Sequence, residues 1–351
     1  GRGRDPADRM TGAAETPGRL DHADGERHTD GEHRATVVTR TELVLGIVEL
    51  TLRPDRTVGA VPPGSHIDLA VPLEGGPETR SYSLVDLGDS DSDRTRVGRY
   101  RIAVRRDDAG RGGSRWLHTL QPGRSVTCTG PASAFAPSPG GLPSVLLAAG
   151  IGITPIIGLA RAVRDAGSDY RIVYAGHSRD RMAYLDHLER DHPDRVRIVE
   201  SAHGTRVESR QLVAAVPADG VLYVCGPMSL LTAIRAEWQQ TGRPAGNLRF
   251  ETFGTSGTRP ASAFRAHVPS HGLSVDVPTG TTLLDALENA GVEMMYGCRR
   301  GECGLCRVRV LASDGDIDHR DVFLSERQRL LGRQMCACVS RVAGASITID
   351  C

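Results

Sequence analysis

Polar positions dominate the start of the chain. Residues 1–33 are rich in Gly, Asp, Arg and His and carry no apolar period, so the pattern predicts a disordered tail or interdomain linker. From Ala35 the texture changes. Segments 35–40, 43–52, 66–71, 80–85 and 100–105 are β-rich runs broken by Pro, Gly and Asp, which predicts a small antiparallel β-barrel. A glycine turn at 110–114 then opens a short helix at 115–120. Beyond it, strand runs at 144–148, 170–174, 196–200 and 221–225 alternate with helices that begin after Gly152 and near Met182, Glu208 and Met228. Alternation of this kind implies a parallel, doubly wound α/β sheet. Segment 248–253 is its last strand. The remainder predicts a hairpin (264–268 and 273–277), an amphipathic helix at 282–291, a strand at 307–311, a helix at 325–331 and a closing strand at 346–350. Strands packed on one helix make a β-grasp unit. The expected division is therefore a tail at 1–33, a barrel at 34–138, an α/β domain at 139–255, a linker at 256–263 and a β-grasp domain at 264–351.

Composition narrows the function. A length of 351 residues suits two or three domains. Lys plus Arg and Asp plus Glu both number 43, which gives no reason to expect nucleic acid. The eight cysteines are not a disulfide framework, because five of them crowd between Cys298 and Cys338; this predicts a reducing cytoplasm. The chain opens on Gly1, so it is read as a fragment or processed chain, and no signal peptide is visible. The uncharged run 142–160 is long enough for a membrane span. It holds Pro143, Gly150, Gly152, Pro155 and Gly158, however, and reads as strand, glycine turn and helix. No membrane association is expected, and the chain is expected to be a monomer.

The most specific chemistry lies in Cys298-Arg-Arg-Gly-Glu-Cys303-Gly-Leu-Cys306. C-x4-C-x2-C with a distant fourth cysteine is the spacing of a plant-type 2Fe-2S site, three thiolates on one loop and one from elsewhere. A zinc site would show two separated C-x2-C knuckles, and only one such pair is present. Gly301 and Gly304 allow the backbone to approach the cluster sulfides. Two further motifs precede it. In the barrel, Arg80-Ser81-Tyr82-Ser83 combines a cation, an aromatic ring and hydroxyls, and Gly112-Gly113-Ser114 opens a helix with free amides; together they suit a phosphate and a planar ring. In the α/β unit, Gly150-Ile-Gly152-Ile-Thr154-Pro155 and Cys225-Gly226-Pro227 each join a strand to a helix, where a dinucleotide binds. Reduced nicotinamide gives two electrons as a hydride and a 2Fe-2S cluster takes one, so a flavin belongs between them.

With these residues in view, the chain resembles phthalate dioxygenase reductase-type flavoproteins, and most of all the reductase portion of self-sufficient haem-thiolate monooxygenases. Its landmarks are the Arg-Ser-Tyr-Ser run, the Gly-Gly-Ser turn, Gly-Ile-Gly-Ile-Thr-Pro, Met182-Ala-Tyr-Leu, Cys-Gly-Pro, the cysteine loop, Asp318-His-Arg-Asp and Cys338-Val-Ser-Arg, over about residues 35–351. The resemblance implies an NAD(P)H-dependent oxidoreductase with FMN and a 2Fe-2S cluster. Arg80, Ser81, Gly112, Gly113 and Ser114 are expected to hold the FMN, with Tyr82 against the isoalloxazine, Ser83 near its N5 and Phe253 covering its face. Gly150, Gly152, Thr154, Pro155, Gly226 and Pro227 are expected to frame the nicotinamide cofactor. Ser83, Thr154 and Cys225 are expected at the reacting rings. Two departures stand out. Ala149 replaces a glycine common in the family. Arg299 and Arg300 stand where relatives are often acidic, which implies a docking face of different charge.

The fourth cluster ligand is either Cys336 or Cys338, which leave 29 and 31 residues after Cys306. The Cys-x-Ser-Arg ending of the family selects Cys338. Ser178 and Arg179, after the 170–174 strand, favour NADPH over NADH, with Asp180 opposing. The implied acceptor is a haem-thiolate oxygenase domain in the same polypeptide, with a separate Rieske-type oxygenase as the other candidate. FAD in place of FMN and a non-catalytic electron-carrier subunit remain as alternatives.

Overall fold

The computed structural model describes residues 31–73, 76–88, 98–110, 112–133, 135–138, 140–253, 261–297 and 299–351. The tail at 1–30, Arg111, most of the 256–263 linker and Cys298 lie outside these residues.

The first unit is a six-stranded sheet of β1 (His33–Val44), β2 (Ile47–Pro54), β3 (Ser65–Leu73), β4 (Gly76–Ser83), β5 (Tyr100–Arg105) and β6 (Ser125–Ser133). Its order is β4-β3-β6-β1-β2-β5, and every neighbouring pair is antiparallel. A bridge from Leu84 to Ile102 joins the two edges and curls the sheet toward a barrel around Leu50, Leu52, Ile67, Leu69 and Ile102. Helix α1 (Gly113–Thr119) contributes buried Leu117 to that core. Three expectations are corrected here. Run 43–52 is not one strand, because Gly46, at φ +78°, turns the chain between β1 and β2; continuous apolar character hid the turn. The tail ends before His33, which begins β1 and is held by Tyr100 Oη at 3.2 Å and Cys128 Sγ at 3.3 Å. Strand β6 was not anticipated, because Ser, Thr, Gly and Pro interrupt its apolar positions.

The second unit comprises β7 (Ser144–Ala149), α2 (Ile153–Asp165), β8 (Tyr170–Gly176), α3 (Leu185–Asp191), β9 (Val196–Glu200), α4 (Ser209–Ala214), β10 (Val221–Cys225), α5 (Met228–Gln240) and β11 (Leu248–Glu251). The sheet is parallel throughout, in the order β11-β10-β7-β8-β9. Connections run to one side from β7 through β8 and β9, then cross to β10 and β11. The crevice between β7 and β10 is thus the topological switch point, where such sheets bind ligands. The uncharged 142–160 run is mainly β7 and α2, and no described helix is long and apolar enough to cross a membrane. The α2 face packs directly on the barrel, since Ile47, Val85, Ala103 and Phe135 share one apolar cluster with Leu146, Ile153 and Ile157.

The third unit holds β12 (Phe264–Val268), β13 (Leu273–Val277), α6 (Leu283–Asn289), β14 (Arg307–Ser313), β15 (Ile317–Asp318), α7 (Glu326–Leu331), β16 (Gln334–Cys336), β17 (Arg341–Val342) and β18 (Ser346–Asp350). The main sheet runs β13-β12-β18-β14-β16, with β15 and β17 as a separate pair. Helix α6 starts with a capping box between Thr282 and Asp285 and buries Leu283, Leu284 and Leu287 against the sheet. Among the described residues, the apolar core of this unit draws on those from 264 onward.

Candidate functional site

Two glycine turns meet at the switch point. A Cβ on Gly152 would lie 2.1 Å from the Cys225 carbonyl oxygen, so only glycine lets the β7 and β10 turns touch. A Cβ on Gly226 would lie 2.7 Å from the Ala149 Cβ. The extra methyl of Ala149 is therefore accommodated by the glycine opposite. Gly150 takes φ +57°, Pro155 is buried, and the buried Thr154 hydroxyl donates to the Ile151 carbonyl at 3.0 Å. Pro227 caps α5. Cys225 is fully buried. Burial first, then Glu251 and Glu302, push its thiol well above the usual range, so it stays neutral.

The barrel presents Ser83 to this crevice. Ser83 is in register with His66, and its Oγ donates to Glu251 Oε1 at 3.2 Å, joining β4 to the end of β11. Glu251 is 1% exposed; burial raises its pKa against the pull of Arg300. The same oxygen accepts from Arg300 Nη1 at 2.5 Å. Thr252 donates to Glu302 Oε1 through its backbone nitrogen at 2.9 Å and its hydroxyl at 3.0 Å. His66 is pushed down to about 4 by burial and by Arg300, with Asp68 opposing, so its imidazole is neutral. Glu251 Oε2 and His66 Nδ1 are buried without a hydrogen-bond partner among the described residues. Such orphaned atoms suit a polar ligand in the crevice.

On the other side of the strand, Arg80 lies against the glycine turn. A Cβ on Gly113 would stand 3.5 Å from Arg80 Cγ, and Gly112 takes φ +103°. Glycine thus leaves the gap that Arg80 occupies, as a phosphate cradle requires. The Arg80 guanidinium pairs with Glu78 and donates to the Thr79 carbonyl at 2.9 Å. Ser114 Oγ accepts from Asp107 N at 3.0 Å, and the Ser81 hydroxyl donates to Asp68. Tyr82 is half-buried, and burial raises its phenol to about 12. Phe253 is 43% exposed, a large ring left uncovered just after β11.

The cysteine loop is shaped by glycines. Gly301 and Gly304 take φ +73° and +71°; a Cβ would meet Val339 Cγ2 at 2.6 Å and the Phe323 ring at 2.4 Å. Cys303 is exposed, whereas Cys306, Cys336 and Cys338 are buried. The Cys306 thiol is drawn down to about 3, first by its hydrogen bonds with Cys336 and Cys338. Both candidate fourth ligands therefore stand beside Cys306. No group of three or more His, Cys, Asp or Glu is poised around a metal position among the described residues, which do not include Cys298. The donor set itself, thiolates on a glycine-shaped loop plus a buried thiol from β16 or its turn, fits a 2Fe-2S cluster. Among the described residues, the two loop arginines are both ion-paired. Arg300 is 12% exposed and turned inward, and Arg299 is paired to Asp285 and Glu288, both at 2.6 Å.

At the end of β8, Ser178 bonds the Asp180 carboxylate, lowering its pKa. Arg179 reaches both Glu189 oxygens, at 2.7 and 2.6 Å, while its backbone nitrogen donates to Glu200. The sequence reading missed Glu251, Thr252 and Glu302, and misplaced Arg300. A carboxylate ending the last strand of a sheet that binds ligands at its C-terminal edge was the available signal for Glu251.

Comparison with known proteins agrees with this geometry. The family described as 2Fe-2S iron-sulfur cluster binding domain matches residues 267–343. Phenoxybenzoate dioxygenase subunit beta of Ectopseudomonas oleovorans is 35% identical over 82% of this chain and 86% of its own. The solved structure of phthalate dioxygenase reductase, described as modular for electron transfer from pyridine nucleotides to [2Fe-2S], aligns at a TM-score of 0.69 and 28% identity, covering 92% and 98% of the two chains. An intact type IV self-sufficient cytochrome P450 monooxygenase aligns at a TM-score of 0.64 and 35% identity over 91% of this chain, which spans only 41% of that protein's length. A near-closed antiparallel barrel, a parallel nucleotide-binding sheet and a C-terminal 2Fe-2S ferredoxin domain, in that order, place the chain in the phthalate dioxygenase reductase family of flavin and 2Fe-2S oxidoreductases.

Proposed function

We propose that the protein carries electrons from NAD(P)H through FMN to its 2Fe-2S cluster and on to an oxygenase. The observation that carries this reading is the buried chain Ser83–Glu251–Arg300, which brings barrel, parallel sheet and cysteine loop into contact at the switch point. When bound, the flavin supplies the conversion from two-electron to one-electron chemistry. The protein's residues hold and orient. Arg80, the Gly112–Gly113 backbone and Ser114 would take the FMN phosphate, and this compact turn favours FMN over FAD. Ser81 and Tyr82 would line the ring, with the Ser83 hydroxyl, fixed by Glu251, at its edge. Gly150, Gly152, Thr154, Pro155, Gly226 and Pro227 would frame the nicotinamide beside the neutral thiol of Cys225. Phe253 would cover the flavin when nicotinamide is away. Cys298, Cys303, Cys306 and Cys338 would ligate the cluster. The proposed domains are 33–138, 139–255 and 264–351.

For the dinucleotide we propose NADPH. Its 2′-phosphate would meet Ser178 and Arg179, competing with Glu189 for the guanidinium. Arg179 and Glu189 are 49% and 39% exposed, and such a pair is worth roughly 0–1 kcal/mol, less than the about 1.5–3 kcal/mol of a charged phosphate bond. The preference should therefore be real but moderate. The 35% identity to an intact self-sufficient P450 monooxygenase favours a haem-thiolate oxygenase in the same polypeptide as acceptor, and the likeness to a dioxygenase subunit keeps a separate oxygenase, such as a Rieske-type one, as the second reading.

The test compares two acceptors. Ferricyanide takes electrons from the flavin, whereas cytochrome c draws on the cluster. Cys338→Ser should lose the visible cluster spectrum and cytochrome c reduction while keeping NADPH-dependent ferricyanide reduction, and Cys336→Ser should resemble wild type. The reverse pattern would move the ligand to Cys336. Wild-type protein that reduces neither acceptor with either nicotinamide would contradict the function.

A further inference from the structure

The cysteine loop carries two buried charges as well as its sulfurs. Arg300 and Glu302 stand between Cys298 and Cys303 and are 12% and 9% exposed, against 45% for neighbouring Arg299. Arg300 Nη1 meets Glu251 at 2.5 Å, Arg300 Nη2 lies 3.7 Å from Glu302 Oε2, and Glu302 accepts both donors of Thr252. A second polar contact lies alongside: Arg235 Nη2 of α5 donates to the Phe323 carbonyl at 3.0 Å, and the Phe323 ring is the one against Gly304 of the loop.

These contacts matter because of what is missing from the apolar packing. Barrel and parallel sheet are fused through a shared apolar cluster, but among the described residues the core of the ferredoxin unit takes none from either. Among the described residues, the side-chain contacts that tie the cysteine loop to the end of β11 are polar. We propose that Arg300 and Glu302 are positioning residues that dock the cysteine loop on the end of β11 for the electron step between flavin and cluster. The inference rests on the reading above. The step moves one electron per event, two events per hydride received, and makes or breaks no bond. Polar docking of this kind also separates without exposing an apolar core, so the loop can leave to meet an acceptor.

The experiment uses the full, cofactor-loaded chain. Anaerobic stopped-flow with NADPH resolves flavin bleaching from cluster reduction, and small-angle scattering reports the overall dimensions. Glu302→Ala should leave flavin content, the resonance signal of the dithionite-reduced cluster and the flavin-bleaching rate within about twofold of wild type. Cluster reduction should slow by about tenfold or more, because electron transfer weakens steeply as donor and acceptor are moved apart. The radius of gyration should rise. Arg300→Ala should slow the same step, and Arg300→Lys should restore part of it, because a shorter cation still reaches toward Glu251. Thr252→Val, which deletes one donor and no charge, should give a smaller slowing and guards against misfolding of the charge variants. Wild-type cluster reduction and unchanged dimensions in Glu302→Ala and Arg300→Ala would overturn the proposal. Equal slowing of flavin bleaching and cluster reduction in Glu302→Ala and Thr252→Val would also overturn it, by placing these residues in the hydride site. If neither NADPH nor NADH bleached the flavin even in wild type, the function itself would have failed, which is a distinguishable result.

Discussion

Replacing Arg80 by alanine tests the flavin cradle. Arg80 lies against the Gly113 turn and is about a quarter exposed, at 25%. A phosphate seated there would gain a charge-assisted bond worth about 1.5–3 kcal/mol. At about 1.4 kcal/mol per tenfold, Arg80→Ala should weaken FMN binding by about 10- to 150-fold. Its partner gives the opposite sign. Glu78 already holds the guanidinium, so Glu78→Gln should remove a competitor and tighten FMN a few-fold. The assay is quenching of FMN fluorescence on titration into deflavinated protein, with recovery of ferricyanide reduction as a second readout. The Arg80 variant should be purified depleted of FMN and regain activity at high FMN. An affinity within about twofold of wild type for Arg80→Ala would refute the assignment. Equal weakening by Glu78→Gln would refute the competition.

Other outcomes follow from single contacts. Gly152→Ala should lower the melting temperature by several degrees, because its Cβ would fall 2.1 Å from a backbone oxygen and overpacking costs about 1–3 kcal/mol; an unchanged melt would contradict the close approach. Glu189→Gln should release Arg179 and raise the ratio of kcat/KM for NADPH over NADH several-fold, and tighten 2′,5′-ADP but not 5′-AMP in calorimetry; no change in either would remove Arg179 from the ribose site. His66 and His192 are both held down to about 4, by burial first and then by Arg300 and Arg164 respectively. Between about pH 6.5 and 4 the unfolded chain therefore binds more protons, so stability is full above that window and falls as pH drops through it. Thermal melts across the window should show this slope, and a His66→Asn, His192→Asn double variant should flatten it.

Much of the architecture could be read from local signals. Strands β9, β10, β12, β13 and β18 begin and end where turn residues and apolar runs placed them, because Gly and Pro mark chain reversals within a few residues. Run 43–52 failed for the same reason in reverse. One glycine among apolar neighbours carried the turn, and nothing polar announced it. The cluster spacing was legible because its chemistry is confined to nine residues, 298–306. The junction was not legible. Ser83 meets Glu251 across 168 positions and Arg300 meets Glu251 across 49, and no periodicity reports a contact between separate folding units. Arg300 therefore reads as a surface cation in the sequence and is a buried ion-pair partner in the fold. Arg179 shows a milder form of the problem. Its place after β8 was visible, but its capture by Glu189 depends on how α3 returns over the sheet.

In the proposed function two electrons enter as a hydride and leave singly through the iron–sulfur centre. Anaerobic titration of the purified protein with NADPH, followed by absorbance and by electron resonance, tests it most directly. The protein should be yellow-brown, with flavin absorption that bleaches on addition of the nicotinamide; the signal of a reduced 2Fe-2S cluster should appear in the same titration and be lost in Cys338→Ser while the flavin still bleaches. A protein with flavin and cluster that neither NADPH nor NADH reduces, though dithionite does, would contradict it and identify a carrier that receives its electrons from elsewhere.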